Sequence, residues 1–199
     1  MGRWLAVGTA VTMMALGGCT TTQAGRATPA GAASPTYQVP TNGAGAISLP
    51  PRPSDVPLTG IDPCTLLSTA QRTTLGVTPG VPGRPVQLLD NSPTCNFRFA
   101  DRTAEYTVAV DTVAGIQRYL DPALADVIKP VSVNGFPALD ITLKPPDLLQ
   151  GCTTAVSVAN GQMFTVDLGQ PAKGTTTTQS CARTEQVAAA VLATAQSRK

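Results

Sequence analysis

The 199-residue chain has no histidine, and charged residues make up only 13% of it. Without an imidazole there is no Ser-His-Asp or Cys-His activation of a nucleophile, and no histidine ligand for a metal. No two cysteines stand in the close C-x-x-C spacing of a zinc site. Basic charge is scarce as well. Setting aside Arg3, Arg26, Arg52 and Asp55, the sequence from Ile61 onward carries 11 basic and 11 acidic residues. A neutral domain offers no positive field to phosphates, so nucleic acid is excluded as a partner. No apolar run approaches the roughly 20 residues of a membrane-spanning helix. The only tryptophan is Trp4.

What the chain does have begins with that tryptophan. Residues 4–16 form a short apolar run behind Arg3, the layout of a secretory signal. It ends in Leu16-Gly17-Gly18-Cys19, where two small residues let the backbone lie extended and Leu16 supplies an apolar anchor. This stretch resembles the processing site of exported bacterial lipoproteins. Residues 1–18 are therefore expected to be a lipoprotein signal peptide, and Cys19 the lipidated first residue of the mature chain. The expected location is the extracytoplasmic face of the cell membrane, held by that lipid. There is no twin arginine, so the general secretory route is expected.

Removing Cys19 from the five cysteines leaves Cys64, Cys95, Cys152 and Cys181, an even set suited to an oxidising compartment. Their gaps of 31, 57 and 29 residues favour crosslinks over metal. Of the three connectivities, Cys64–Cys95 with Cys152–Cys181 is expected, because each joins a helix start to a nearby strand. Neither a metal nor any other cofactor is expected.

Residues 19–60 are rich in Thr, Ala, Gly, Pro and Ser without apolar periodicity, and read as the lipidated cysteine followed by a disordered tether. Its flexible reach is on the order of 35 Å. A globular domain is expected over residues 61–199. Asp62-Pro63 suits a helix start, Ser68 with Gln71 forms a capping box, and Gly76 ends that helix. Residues 77–93 read as a Pro- and Gly-rich loop. Residues 96–100 and 105–112 alternate as strands, with Tyr106, Val108 and Val110 on one face and Thr107, Ala109 and Asp111 on the other. Helical spacing predicts a helix from about Ile116 to Ile128, bent at Pro122. Asn134-Gly135 and Asn160-Gly161 each predict a tight hairpin, and a last helix is expected to start near Ser180. The fold class is α+β, an antiparallel sheet of about six strands with helices packed on one face and two disulfides.

"DPCTLLSTAQ", Cys95 before an aromatic strand, Cys152 leading a hairpin strand and Cys181 opening the last helix, together with the processing site and spacer, make the chain similar to an actinobacterial lipoprotein family catalogued as domain of unknown function 3558. Phe97 stands where members often carry Trp. The resemblance implies an envelope lipoprotein and brings no catalytic residues.

The remaining acid–base candidates are ten Asp with Glu105 and Glu185, and no pair stands out by spacing. Asp140 and Asp167 alternate with apolar residues and read as a solvated sheet face. The expectation is thus a non-catalytic domain, anchored to the membrane by lipid, that binds an envelope protein, a lipid or a cell-wall ligand. The alternatives are a structural or accessory subunit of an envelope complex, or a histidine-free enzyme.

Overall fold

The computed structural model describes residues 38–39, 47–121, 124–143, 151–169 and 171–198. Cys19, residues 1–18 and most of the expected tether lie outside them.

A two-stranded ribbon pairs β1 (Gln38–Val39) with β2 (Ile47–Ser48). The main sheet holds β3 (Val81–Pro82), β4 (Thr94–Arg98), β5 (Glu105–Asp111), β6 (Ala125–Val133), β7 (Phe136–Leu143), β8 (Thr153–Ala159) and β9 (Gln162–Gly169). Its order is β3-β4-β5-β9-β8-β7-β6, antiparallel throughout. Six strands are of ordinary length, and β3 adds a two-residue edge from within the segment expected to be loop. Both hairpins form where the Asn-Gly pairs predict them. Asn134 and Gly135 both take positive φ, as a type I′ turn requires. At the second turn only Gly161 does so, and the β8–β9 ladder shifts register between Ser157 and Ala159.

Among the described residues two α-helices accompany the sheet, α1 (Thr69–Leu75) and α2 (Thr177–Gln196). The capping box of Ser68 and Gln71 is present, and Gly76 closes α1 in the left-handed conformation. Asp62 caps a 3-10 turn, Pro63–Thr65, by accepting from the Cys64 N–H. Helix α2 starts earlier than expected. Thr176 and Gln179 form a second capping box, which sets the start at Thr177 and leaves Cys181 one turn inside the helix.

Along each strand, successive side chains point to opposite faces. One face carries Phe97, Val108, Val110, Val156, Phe164 and Val166 under α2, which contributes Val187, Ala188, Val191 and Leu192. The other carries Ala109, Leu139, Ile141, Ala155 and Met163, covered by Leu89 and by Ile116, Tyr119 and Leu120 of a 3-10 helix, Gly115–Leu120. The sheet is thus packed on both sides, with the long helix on one only.

Three expectations change. The helix from Ile116 to Ile128 is replaced by that 3-10 helix and by β6. The 3-10 helix ends at Leu120, the bend expected at Pro122 lies outside the described residues, and the β-branched Val127, Ile128, Val131 and Val133 suit a strand. Pro130 is tolerated because β6 lies at the sheet edge. Packed structure also begins before Ile61, since Leu49, Val56 and Leu58 are buried. Val56 N–H donates to Val158 O at 2.8 Å, and Arg52 reaches Ser157 Oγ and Asn160 Oδ1. Isolated apolar residues between prolines show no period, yet each fills a place against the sheet. Finally, the two aspartates expected on a solvated face are withdrawn from it, Asp140 to 4% exposure beneath α2 and Asp167 to a half-buried position on the covered second face.

Candidate functional site

The centre of the second face is not filled. Thr107 and Ala109 of β5, Thr165 and Asp167 of β9 and Thr153 of β8 share this face, with Thr107 directly opposite Asp167 and Asp167 directly opposite Thr153. Above them stand Val86, Leu88, Leu89 and Tyr119, and between lies a pocket of about 170 Å³. Its walls are apolar, and its floor is three threonines and one carboxyl group. Leu88, at the rim, is 38% exposed.

The floor is organised by hydrogen bonds. Thr153 Oγ1 donates to Asp167 Oδ2 at 2.9 Å, and Thr107 Oγ1 donates to Asn96 Oδ1 at 3.1 Å. Burial pushes the Asp167 carboxyl up to about 6; the Thr153 hydroxyl opposes this and the charge of Glu105 adds to it. The Tyr119 phenol is pushed well above its ordinary range, first by burial and then by the charges of Asp167 and Asp111. Beside the pocket, Arg118 is committed elsewhere: it donates to Leu88 O and Asp90, and its Nε lies 3.7 Å from Asp111 Oδ2.

A second group of polar residues lies on the opposite face, under the first turns of α2. Asp140 Oδ1 accepts from Thr154 Oγ1 at 2.8 Å, and Thr154 meets Thr184 Oγ1 at 2.7 Å. Burial pushes Asp140 up to about 6; the Thr154 hydroxyl opposes, the neighbouring Glu185 carboxyl raises it further, and Lys129 opposes. Asp140 Oδ2 is buried without a hydrogen-bond partner. The ligand atoms of Asp140, Cys152 and Cys181 lie within 4.8 Å of one another, but the two sulfurs are bonded to each other. No thiolate is left there for a metal.

These two carboxyls give a pH prediction with a definite sign. Each has a folded pKa raised from 3.8 to about 6, so the native state binds more protons than the unfolded chain between those values. The stability they contribute is full below pH about 3.8 and is lost as pH rises through about 6. At pH 8, Asp140→Asn keeps the acceptor for Thr154 and replaces a repelling carboxylate with a donor toward Glu185. It is expected to raise stability by on the order of 1–2 kcal/mol at that pH, and to flatten the decline between pH 4 and 8. Urea melts across this range check it, and a destabilised variant at pH 8 would sink the assignment.

The structure bonds Cys64 to Cys95, with Cα atoms 4.9 Å apart, and Cys152 to Cys181, with Cα atoms 5.0 Å apart. A family model described as "Protein of unknown function (DUF3558)" matches residues 14–194. The chain belongs to this family. No curated protein and no solved structure matches it. The span matched to the DUF3558 family takes in Cys19, both disulfides, the whole sheet and the pocket. In this member the disulfides tie the first face together, while the pocket lies on the other. The sequence expectation missed that pocket because it placed Asp167, with Asp140, on a solvated sheet face and gave Thr107, Thr153 and Thr165 no role. A signal was present: Thr107-x-Ala109, Thr153-x-Ala155 and Thr165-x-Asp167 put small and polar residues at alternate positions of three strands, whereas a long solvated face would carry Lys, Arg and Glu.

Proposed function

We propose that this DUF3558 protein is a lipid-anchored protein of the cell envelope whose domain is a non-catalytic binding module, with the second-face pocket as its binding site. The observation that carries the binding reading is the pocket: apolar walls, a hydrogen-bonded polar floor and a rim open at Leu88, the usual make-up of a small-ligand site. The absence of histidine supports a non-catalytic role, as does the geometry of the two perturbed carboxyls. Asp140 pairs with Thr154 and Asp167 with Thr153, so they lie on opposite faces of the sheet and cannot act on one substrate as acid and base. The domain cysteines are held in disulfides and offer no nucleophile. No described helix is long and apolar enough to cross a membrane, and attachment is assigned to Cys19.

Two experiments test the reading. Cys19→Ala is expected to move the protein out of the membrane fraction and to abolish its labelling by a fatty-acid analogue; unchanged labelling would end the lipoprotein assignment. For binding, a photoreactive amino acid at Leu88 is expected to yield a small-molecule adduct in intact cells. The same probe at exposed Thr74, on α1, should not. Identical products at both positions would show that the pocket selects nothing.

A further inference from the structure

The pocket floor is built to receive donors and holds no charge to balance its own. Among the described residues, no Lys or Arg lines the pocket, and no cation pairs with Asp167. Glu105, whose charge acts on Asp167, is engaged by Arg98 at 3.1 Å, and Arg118 is held by Asp90, Asp111 and Leu88 O. An uncompensated carboxylate in an apolar setting favours a cationic ligand and disfavours an anionic one. The two flanking hydroxyls sharpen this. Thr153 spends its proton on Asp167 and Thr107 spends its proton on Asn96, so the lone pairs of both oxygens remain as acceptors. Register places these threonines on either side of Asp167, across neighbouring strands of one face.

We propose that the pocket binds a primary ammonium group, its three N–H donors directed to the Asp167 carboxylate, Thr107 Oγ1 and Thr153 Oγ1, with a short apolar body against Val86, Leu88 and Ala109. A primary ammonium has three donors and no acceptor, which matches the three acceptors of the Thr107–Asp167–Thr153 row, while Thr165, the fourth polar group of the floor, is engaged with Tyr119. A quaternary ammonium has no N–H to donate, and a carboxylate or phosphate would meet Asp167 as a like charge. The volume of about 170 Å³ admits a short alkyl or small ring and no long chain. This rests on the pocket being the binding site, as proposed above, and adds the ligand class.

The test uses the full chain, labelled with ¹⁵N and purified in maltoside micelles, titrated separately with n-butylammonium chloride, n-butanol and sodium butyrate. Butylammonium is expected to give saturable amide shifts at Thr107, Thr153 and Asp167 and to bind at least about tenfold more tightly than the other two. Asp167→Asn, nearly isosteric, is expected to weaken it about tenfold or more, while Asp140→Asn on the opposite face leaves it unchanged. Butanol binding as tightly as butylammonium, or undiminished binding by Asp167→Asn, overturns the ammonium assignment and leaves the pocket as a binding site. No shift at the pocket residues with any probe overturns both. A soluble amine and the ethanolamine headgroup of a lipid present the same group. Phosphatidylethanolamine added to the micelles assigns the lipid as source if it shifts the same residues. A negative result with it, beside a positive one with butylammonium, assigns a soluble amine.

Discussion

Replacing Phe164 with Ala is expected to lower stability by about 3–5 kcal/mol, the usual cost of removing a fully buried phenyl ring. Phe164 lies on β9, near the middle of the sheet order, directly opposite Val110 on β5 and Val156 on β8. All three are buried in the cluster beneath α2, and Phe164 has no exposed surface. The loss has two parts: the transfer of the ring out of water is forfeited, and a cavity is left that regular strands on both sides cannot collapse to fill. For a chain of this size the thermal midpoint should fall by roughly 6–20 °C. Phe164→Leu, which retains most of the volume, should cost much less. Equal losses for the two variants would mean that the site is not packed as described.

Removing the Cys152–Cys181 disulfide with paired serines is expected to cost about 3–4 kcal/mol, from the entropy restored to the unfolded chain across a separation of 29 residues. The native contacts around it make this bond matter locally as well. It ties β8 to the first turns of α2, beside the Thr154–Thr184 contact and the buried Asp140. Further along, α2 is held by Gln71, which donates to Ala190 O at 2.8 Å and accepts from Thr194 at 2.8 Å, and by Val187, Val191 and Leu192 in the core. Amide exchange in the double variant should therefore rise most near Cys181 and Thr184, and less around Ala190. Cys152 is itself fully buried, so the serine there also adds the cost of burying a hydroxyl. Guanidinium melts measure the total. A loss below about 1 kcal/mol would show that the bond contributes little beyond the noncovalent contacts.

Local chemistry determined much of this protein from sequence alone. Capping at Ser68 with Gln71, the stop at Gly76 and the hairpins at Asn134-Gly135 and Asn160-Gly161 depend only on residues within a few positions of one another, so the sequence carries them in full. The alternation of Tyr106, Val108 and Val110 likewise marked one face of β5, because a strand sorts its side chains by parity. Only the tertiary structure decided what covers each face. Val56 and Leu58, scattered among prolines, become core because the sheet supplies the surface they complete. The stretch from Ala125 becomes strand because β7 offers it a partner, and long-range pairing outweighs a helical spacing of apolar residues. The pocket is the clearest case. Thr107, Thr153 and Asp167 are separated by 46 and 14 residues along the chain, and no local rule relates them. They become neighbours because β9 pairs with β5 on one side and β8 on the other, and partial burial beneath Leu89 and Tyr119 raises the Asp167 pKa.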